Sequence, residues 1–391
     1  MRRHHRLVVR GIAPLICPVI LVLVVLIWAS AVGQAEGPTR LGPAQSAPPA
    51  RYGHAMVESN GFVYLFGGVG EGGTLLNDLW RFGTVSATSN GPRGQAQPLD
   101  AWEEINPANE PPARFGHTIV EVSGTGGIVL FGGQGAGDVF DDVWSYNPAV
   151  NNWTPLPSQG TWKPEPRHGH QAVGIGDRMY VFGGRTGTGV ASDWIWSYDL
   201  ANGTWSQGTY SPSGSRYDFS AANVDGQMVV WGGRNYWGNY LSDLWRYDPT
   251  ANQWSQLPIT TPQQVGSSYP IPRMQPAAAL PVGTANQATA SQGNRMWVFG
   301  GQTQASPAVD NVWEFVFTNT TTVTVSALDP LAAPRTQAAA VALPQSGGQL
   351  AFTRLLVFGG RRNGQTLGEP VSYTAWSSPP RRLFLPVITR N

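Results

Sequence analysis

"YVFGG", Tyr180–Gly184, ends an apolar run on two glycines. Glycine inside a strand costs about 1 kcal/mol relative to alanine, so the pair needs a reason. It recurs: "YLFGG" ends at Gly68, "VLFGG" at Gly133, "VVWGG" at Gly233, "WVFGG" at Gly301 and "LVFGG" at Gly360. Without a Cβ, a glycine pair lets the chain turn out of a strand at positive φ and lets neighbouring backbone come close.

A second mark follows each of the first five pairs. The copies are "NDLWRF" (Asn77–Phe82), "DDVWSY" (Asp141–Tyr146), "DWIWSY" (Asp193–Tyr198), "SDLWRY" (Ser242–Tyr247) and "DNVWEF" (Asp310–Phe315). A further Trp stands at Trp153, Trp205 and Trp254, and an insertion displaces its first copy to Trp102. Upstream of each glycine pair lies an arginine-led segment, beginning at Arg51, Arg114, Arg167, Arg216, Arg273 and Arg335. One unit therefore reads as four short strands joined by turns, an antiparallel sheet. Such a sheet cannot bury both faces alone, but six packed around an axis can. The tryptophans suit the gaps between sheets. Each can bury roughly 150–250 Å², on the order of 4–6 kcal/mol gross at about 25 cal/mol per Å².

Composition agrees. The chain has 391 residues with 48 Gly, 32 Pro and 16 Trp, and 13% are charged. Many turns and many short strands follow, with enough apolar and aromatic residues for a core. The formal net charge of +1 gives no global field to recruit nucleic acid or an anionic membrane. The one cysteine, Cys17, lies in an N-terminal apolar run, so the rest forms neither an internal disulfide nor a cysteine metal site.

The N-terminus reads as an address. The basic "MRRHHRLVVR" (residues 1–10) precedes an apolar run, Leu15–Val32, and small residues at Ala29–Ala31. That order is a secretory signal, and the run also fits an uncleaved signal anchor within residues 11–32. Both readings export the remainder, secreted or held at the membrane, because the basic flank stays inside. The expected domains are a signal or anchor over 1–35, a propeller over 36–380 and a tail over 381–391.

Gly-Gly closing an apolar strand, with an aromatic residue and a Trp at these offsets, resembles the Kelch repeat. The resemblance runs from Arg51 to Tyr373 and implies an all-β, six-bladed β-propeller with four antiparallel strands per blade, preceded here by an N-terminal apolar helix. The architecture is similar to the central domain of galactose oxidase, but in fold only. That copper-radical chemistry needs a Tyr joined to a Cys, and no Cys remains outside the N-terminal run. Blades five and six depart from the pattern. The second Trp of blade five is replaced by "TTTVTVSAL" (Thr320–Leu328), and blade six has no Trp at its third strand. Two segments compete to close the ring, the one near Pro38–Leu41 and the tail Arg381–Asn391. "LGPAQSAPPAR" (Leu41–Arg51) mimics "INPANEPPAR" (Ile105–Arg114), which follows an outer strand, and this favours the first.

The resemblance also implies that the turns before the leading arginines and the loops after Gly-Gly share one face, around the channel mouth. The candidate ligand-binding residues are Arg51, Arg114, Arg167, Arg216, Arg273 and Arg335, with Arg185, Arg234, Tyr236, Trp237, Tyr240 and Arg361 from the loops. An arginine fork suits a carboxylate, so the six leading arginines either meet an acidic ligand or cap turns and pair with Asp or carbonyls. Tyr236, Trp237 and Tyr240 either form a binding surface or fold back onto the propeller. His54, His117 and His170 recur at one position, which reads as a shared structural role rather than a metal site. Asp78, Asp142, Asp193, Asp243 and Asp310 precede the Trp strand and suit turn amides. No phosphate loop, Ser-His-Asp spacing or Cys/His cluster appears, so neither a cofactor nor a metal is expected. The first reading is an exported module that binds a protein, peptide or glycan at the channel mouth. The alternative is an extracellular carbohydrate-active hydrolase, isomerase or lyase at the same place.

Overall fold

A computed structural model describes residues 39–40, 47–83, 101–122, 127–159, 162–189, 193–260, 277–279, 294–318, 321–328, 330–343 and 352–376. The expected signal or anchor, Cys17, Arg273 and the tail 381–391 lie outside them. Six sheets follow one another in chain order, each built on four antiparallel strands; Arg51–Tyr52 adds a fifth to the first, and Ile259–Thr260 pairs in parallel with the outer strand of the fifth. Blade one is Ala55–Ser59, Phe62–Gly70, Leu75–Gly83 and Ala101–Ile105. Blade two is Thr118–Glu121, Ile128–Phe131, Val143–Asn147 and Asn152–Leu156. Blade three is Gln171–Ile175, Arg178–Phe182, Trp194–Asp199 and Thr204–Tyr210. Blade four is Ser220–Val224, Gln227–Trp231, Leu244–Asp248 and Gln253–Gln256. Blade five is Ala277–Ala279, Asn294–Phe299, Val312–Phe317 and Val323–Leu328. Blade six takes Ala339–Ala342, Phe352–Phe358 and Val371–Trp376 from its own repeat. Its fourth strand is Thr39–Arg40, with Thr39 opposite Ser372 and Arg40 opposite Val371. The N-terminal segment thus clips the last blade to the first. Among the described residues the helix content is one 3-10 turn, Glu71–Gly73.

The core is divided among the gaps. Six clusters of buried apolar residues are each drawn from two adjacent blades. The second Trp of a blade lies against the aromatic residue that precedes Gly-Gly in the blade before it. Trp153 meets Phe66 at 5.3 Å between ring centroids, Trp205 meets Phe131 at 4.9 Å and Trp254 meets Phe182 at 4.7 Å. Trp102 meets Phe358 of blade six at 5.5 Å, across the closure. The departure in blade five is compensated. Val325 stands opposite Phe315, where Trp153 stands opposite Tyr146. Blade four answers with Trp231 in place of Phe, 5.0 Å from Phe315. The bulk has moved across the gap, and packing volume is kept.

The glycine pairs do what their missing Cβ permits. Gly67 and Gly68 have φ of 66° and 101°. A Cβ on Gly67 would lie 2.8 Å from the carbonyl oxygen of Arg114, and one on Gly68 would lie 2.8 Å from that of Tyr52. The second glycine donates its N–H to the leading arginine of the next blade: Gly68 to Arg114 O at 2.9 Å, Gly133 to Arg167 O at 2.8 Å, Gly184 to Arg216 O at 2.9 Å, Gly301 to Arg335 O at 2.8 Å and Gly360 to Arg51 O at 2.8 Å. The last of these crosses the closure as well.

Removing residues 37–46 deletes the fourth strand of blade six and leaves its edge unpaired. Thermal melting should then fall by about 5 °C or more, from lost pairing and exposed apolar surface, whereas removing 381–391 should leave it unchanged. Equal melting of the two truncated chains would refute closure by Thr39–Arg40.

Candidate functional site

The leading segments and the loops after Gly-Gly meet at one end of the ring. Arg51–Tyr52 pairs with Val69–Gly70, Arg167–His168 with Arg185–Thr186, and Arg216–Tyr217 with Arg234–Asn235. An inner circle of backbone bonds rims the channel there. Gly53 N donates to Gln337 O at 3.0 Å, Gly116 N to Gly53 O at 2.8 Å, Gly169 N to Gly116 O at 2.9 Å and Asp218 N to Gly169 O at 2.8 Å.

The leading arginines do not face the channel. Arg51, Arg114, Arg167, Arg216 and Arg335 are buried, and Nη1 of each donates to the carbonyl of the first glycine in its own blade's pair. In three blades the fork closes on an aspartate. Arg51 grips Asp78 at 2.5 and 2.6 Å, Arg114 grips Asp142 at 2.6 and 2.8 Å, and Arg216 grips Asp243 at 3.1 and 3.0 Å. The same carboxylate oxygen accepts the indole N–H of the strand's Trp, from Trp80 at 2.6 Å, Trp144 at 2.7 Å and Trp245 at 2.6 Å. Of the two readings open for the leading arginines, pairing with an aspartate or a carbonyl describes Arg51, Arg114, Arg216 and Arg335. A buried guanidinium must be matched within the fold, and these are matched by carboxylates or glycine carbonyls. The aspartates are corrected in turn. Asp78, Asp142 and Asp243 bind arginine and indole rather than turn amides. Asp193 and Asp310 fall one residue out of register, and Trp194 and Asn311 occupy the equivalent places. Among the described residues no aspartate pairs with Arg167. Desolvation lowers its pKa to about 10, opposed only by the field of Glu165.

The histidines are inter-blade packing. The rings of His54, His117 and His170 stand edge-on to Phe358, Phe66 and Phe131 of the preceding blades, at 5.6, 5.4 and 5.2 Å. Phe219 takes the same place in blade four, 5.6 Å from Phe182. Burial, reinforced by the adjacent arginine, holds all three imidazoles neutral, with His117 lowered to about 3. Among the described residues no group of three His, Cys, Asp or Glu is gathered as a metal would need.

What remains accessible is a set of cations stacked on aromatic rings. Arg185 lies over Tyr217 at 5.2 Å, Arg234 over Tyr217 at 5.9 Å and over Tyr240 at 5.1 Å, and Arg361 over Tyr52 at 4.6 Å. Residues 234–240 form a tight hairpin in which Arg234 and Tyr240 are bridged and Gly238 supplies a φ of 79°. Arg234 Nε donates to Gly238 O at 3.0 Å. At its tip Tyr236 and Trp237 pack edge to face, 5.0 Å apart, and stand 56% and 79% exposed. They do not fold back. The channel beneath holds a cavity of about 190 Å³, lined by His54, Met56, Thr118, Gln171, Ser220 and Ala339 among others. Asp218 lines the mouth beside Gly53, Gly116, Gly169 and Gln337.

Six blades, a clipped closure and a loop-built face define a β-propeller of the repeat-blade class. The chain belongs to the Kelch-repeat family: the family described as the KLHDC2/KLHL20/DRC7 Kelch-repeats domain matches residues 38–162 and 99–280, more than half of its length. It is similar to the F-box/kelch-repeat protein At1g51550 of Arabidopsis thaliana, 30% identical over 163 residues, 39% of this chain and 32% of that protein. It is also similar to the Rho GTPase-activating protein gacHH of Dictyostelium discoideum, 32% identical over 155 residues, 37% of this chain and 9% of that one. The flagellar outer-arm dynein alpha chain of Chlamydomonas reinhardtii is 28% identical over 184 residues, 45% of this chain and 4% of the dynein. The chain spans less than a third of each of these relatives.

The neutral histidines make stability pH-dependent. His117 protonates near 6.5 in the unfolded chain and near 3 in the fold, so its contribution is complete above pH 6.5 and is lost as pH falls toward 3. At pH 5 the loss from His117 alone is about 2 kcal/mol. His117→Phe, copying blade four, should flatten the fall in denaturation midpoint between pH 7 and 5. An unchanged slope would show that His117 already carries a proton in the fold.

Proposed function

We propose that the propeller is an exported module that binds a protein partner through the loops around its channel mouth. The observation that carries the reading is the Tyr236–Trp237 pair, held out at the tip of a rigid hairpin. Exposed indole and phenol rings are costly in water and dominate binding energy at interfaces. The arginine–aromatic stacks at Tyr217, Tyr240 and Tyr52 add preorganised cations beside them. Kelch propellers commonly serve as protein-binding modules, which agrees with an aromatic and cationic surface over a channel. Export rests on the basic residues 1–10 followed by the apolar run of Leu15–Val32.

The test of binding uses the double variant Tyr236→Ala and Trp237→Ala beside the wild-type chain. Both side chains are exposed, so melting should be unchanged while affinity for the captured partner drops about tenfold or more. A partner held equally by both chains would remove this face from consideration. For export, the protein should be recovered outside the cytoplasm of its host, and sequencing should place the mature N-terminus after Ala29–Ala31 or, for an anchor, at Met1. Recovery in the cytoplasm alone would overturn that part.

A further inference from the structure

Blade three breaks the arginine–aspartate rule without breaking the arginine. Arg167 is as buried as its counterparts, and its Nε and Nη1 donate to Glu165 O and Gly183 O, both at 3.0 Å. Among the described residues no acceptor meets Nη2 and no carboxylate pairs with the guanidinium. The indole of Trp196, counterpart of Trp80, Trp144 and Trp245, has its Nε1 buried and without a partner. In blades one, two and four these two donors converge on one aspartate oxygen, at 2.6 to 3.0 Å from Nη2 and 2.6 to 2.7 Å from the indole. The aspartate's place is held by Trp194, which packs edge-on to Tyr210 at 6.1 Å. Trp194 and Tyr210 are 40% and 59% exposed.

We propose that Arg167 Nη2 and Trp196 Nε1 form a receptor for a carboxylate brought from outside the chain, the acidic side chain of a partner protein, with Trp194 and Tyr210 as its aromatic rim. The counterparts of these two donors, one of them charged, converge on a carboxylate in the three self-filled blades, and the repeat sets the same pair in blade three. The adjacent exposed rings favour a polypeptide segment over a free small acid, since they offer apolar contact around the anchored group. The site is independent of the Tyr236–Trp237 tip, so the two readings stand or fall separately.

Substitution at Trp194 tests it from both sides. Trp194→Asp supplies the missing carboxylate in place and Trp194→Asn supplies the same shape without charge. The Asp variant should melt about 2 °C or more above the Asn variant, and equal melting would overturn the proposal. Melting of the wild-type chain is then followed in formate, in chloride of equal ionic strength, and with the peptides acetyl-Ala-Glu-Ala-amide and acetyl-Ala-Gln-Ala-amide. Stabilisation by the Glu peptide at lower concentration than formate, absent with the Gln peptide and lost in Trp194→Asp, is the expected result. A response to formate alone would overturn the polypeptide ligand in favour of a free small acid. Neither probe exceeding chloride, or an undiminished response in Trp194→Asp, would overturn the receptor itself.

Discussion

At five described junctions a blade is tied to the next by the amide of a glycine reaching the carbonyl of the following blade's leading arginine. The bond is short, between 2.8 and 2.9 Å wherever both residues are described, and the missing side chains of the glycine pair bring the backbones that close. The arginine whose carbonyl is held then turns its own side chain inward and binds the carbonyl of its own blade's first glycine. Backbone and side chain of one residue thus join two blades, and the motif passes the connection around the ring. Hydrophobic packing supplies the larger share of the free energy, as it does in any domain. It is not directional, however, and two sheets pack over a range of angles. The glycine–arginine bonds set the angle, so that six copies return to the first.

Much of this was legible in the residues. The spacing of glycine pairs and tryptophans gave the number of blades, and the "PPAR" echo pointed to the strand that closes them. The arginines were harder, because a fork that fits a ligand's carboxylate fits an internal one equally well. A signal was present in the sequence: an aspartate two residues before the first Trp in blades one, two and four, matched to an arginine 27 or 28 residues earlier. In blades three and five the aspartate stands three residues before the Trp rather than two, so Asp193 and Asp310 resemble Asp78 in the motif without sharing its register. The structural role of the histidines was legible in their recurrence at one repeat position, but their partners were not. Their neighbours are phenylalanines of the preceding blade, and contact across a gap leaves no local pattern.

The departures from the repeat are of two kinds, which the structure separates. In blade five the second Trp is lost, and blade four replaces a Phe with Trp231 at the matching point. Volume is conserved across the interface, so the change has no consequence beyond packing. In blade three the aspartate is lost, and among the described residues no carboxylate pairs with Arg167. A buried cation without its anion is expensive. Persistence of the arginine there is understandable from its other bonds, since its carbonyl receives Gly133 N of blade two and its Nη1 holds the Gly183 carbonyl. Replacing the arginine would disturb the junction between blades two and three. The ring thus fixes the cation and leaves the anion open, an asymmetry that a packing defect does not produce.

The same division explains why recognition belongs at the loop end. The arginines, the glycine pairs, the histidines and the inner circle of amides are all engaged in holding blades together, and altering any of them alters the ring. The segments between the second and third strands carry such bonds at their ends, where Phe140, Val309 and Leu367 accept the amide of the next blade's leading arginine and Asp142 and Asp243 grip their own, and the stretches between those ends are spared them. They differ freely in content, from the glycine-rich turn at Glu71–Gly73 to the aromatic hairpin of residues 234–240. A rigid wheel with unconstrained loops at one rim can present large rings to water in a fixed geometry, without the ordering cost that a flexible segment would incur on binding. In blade four that freedom has been used to hold out Tyr236 and Trp237, where their exposure does nothing for the fold.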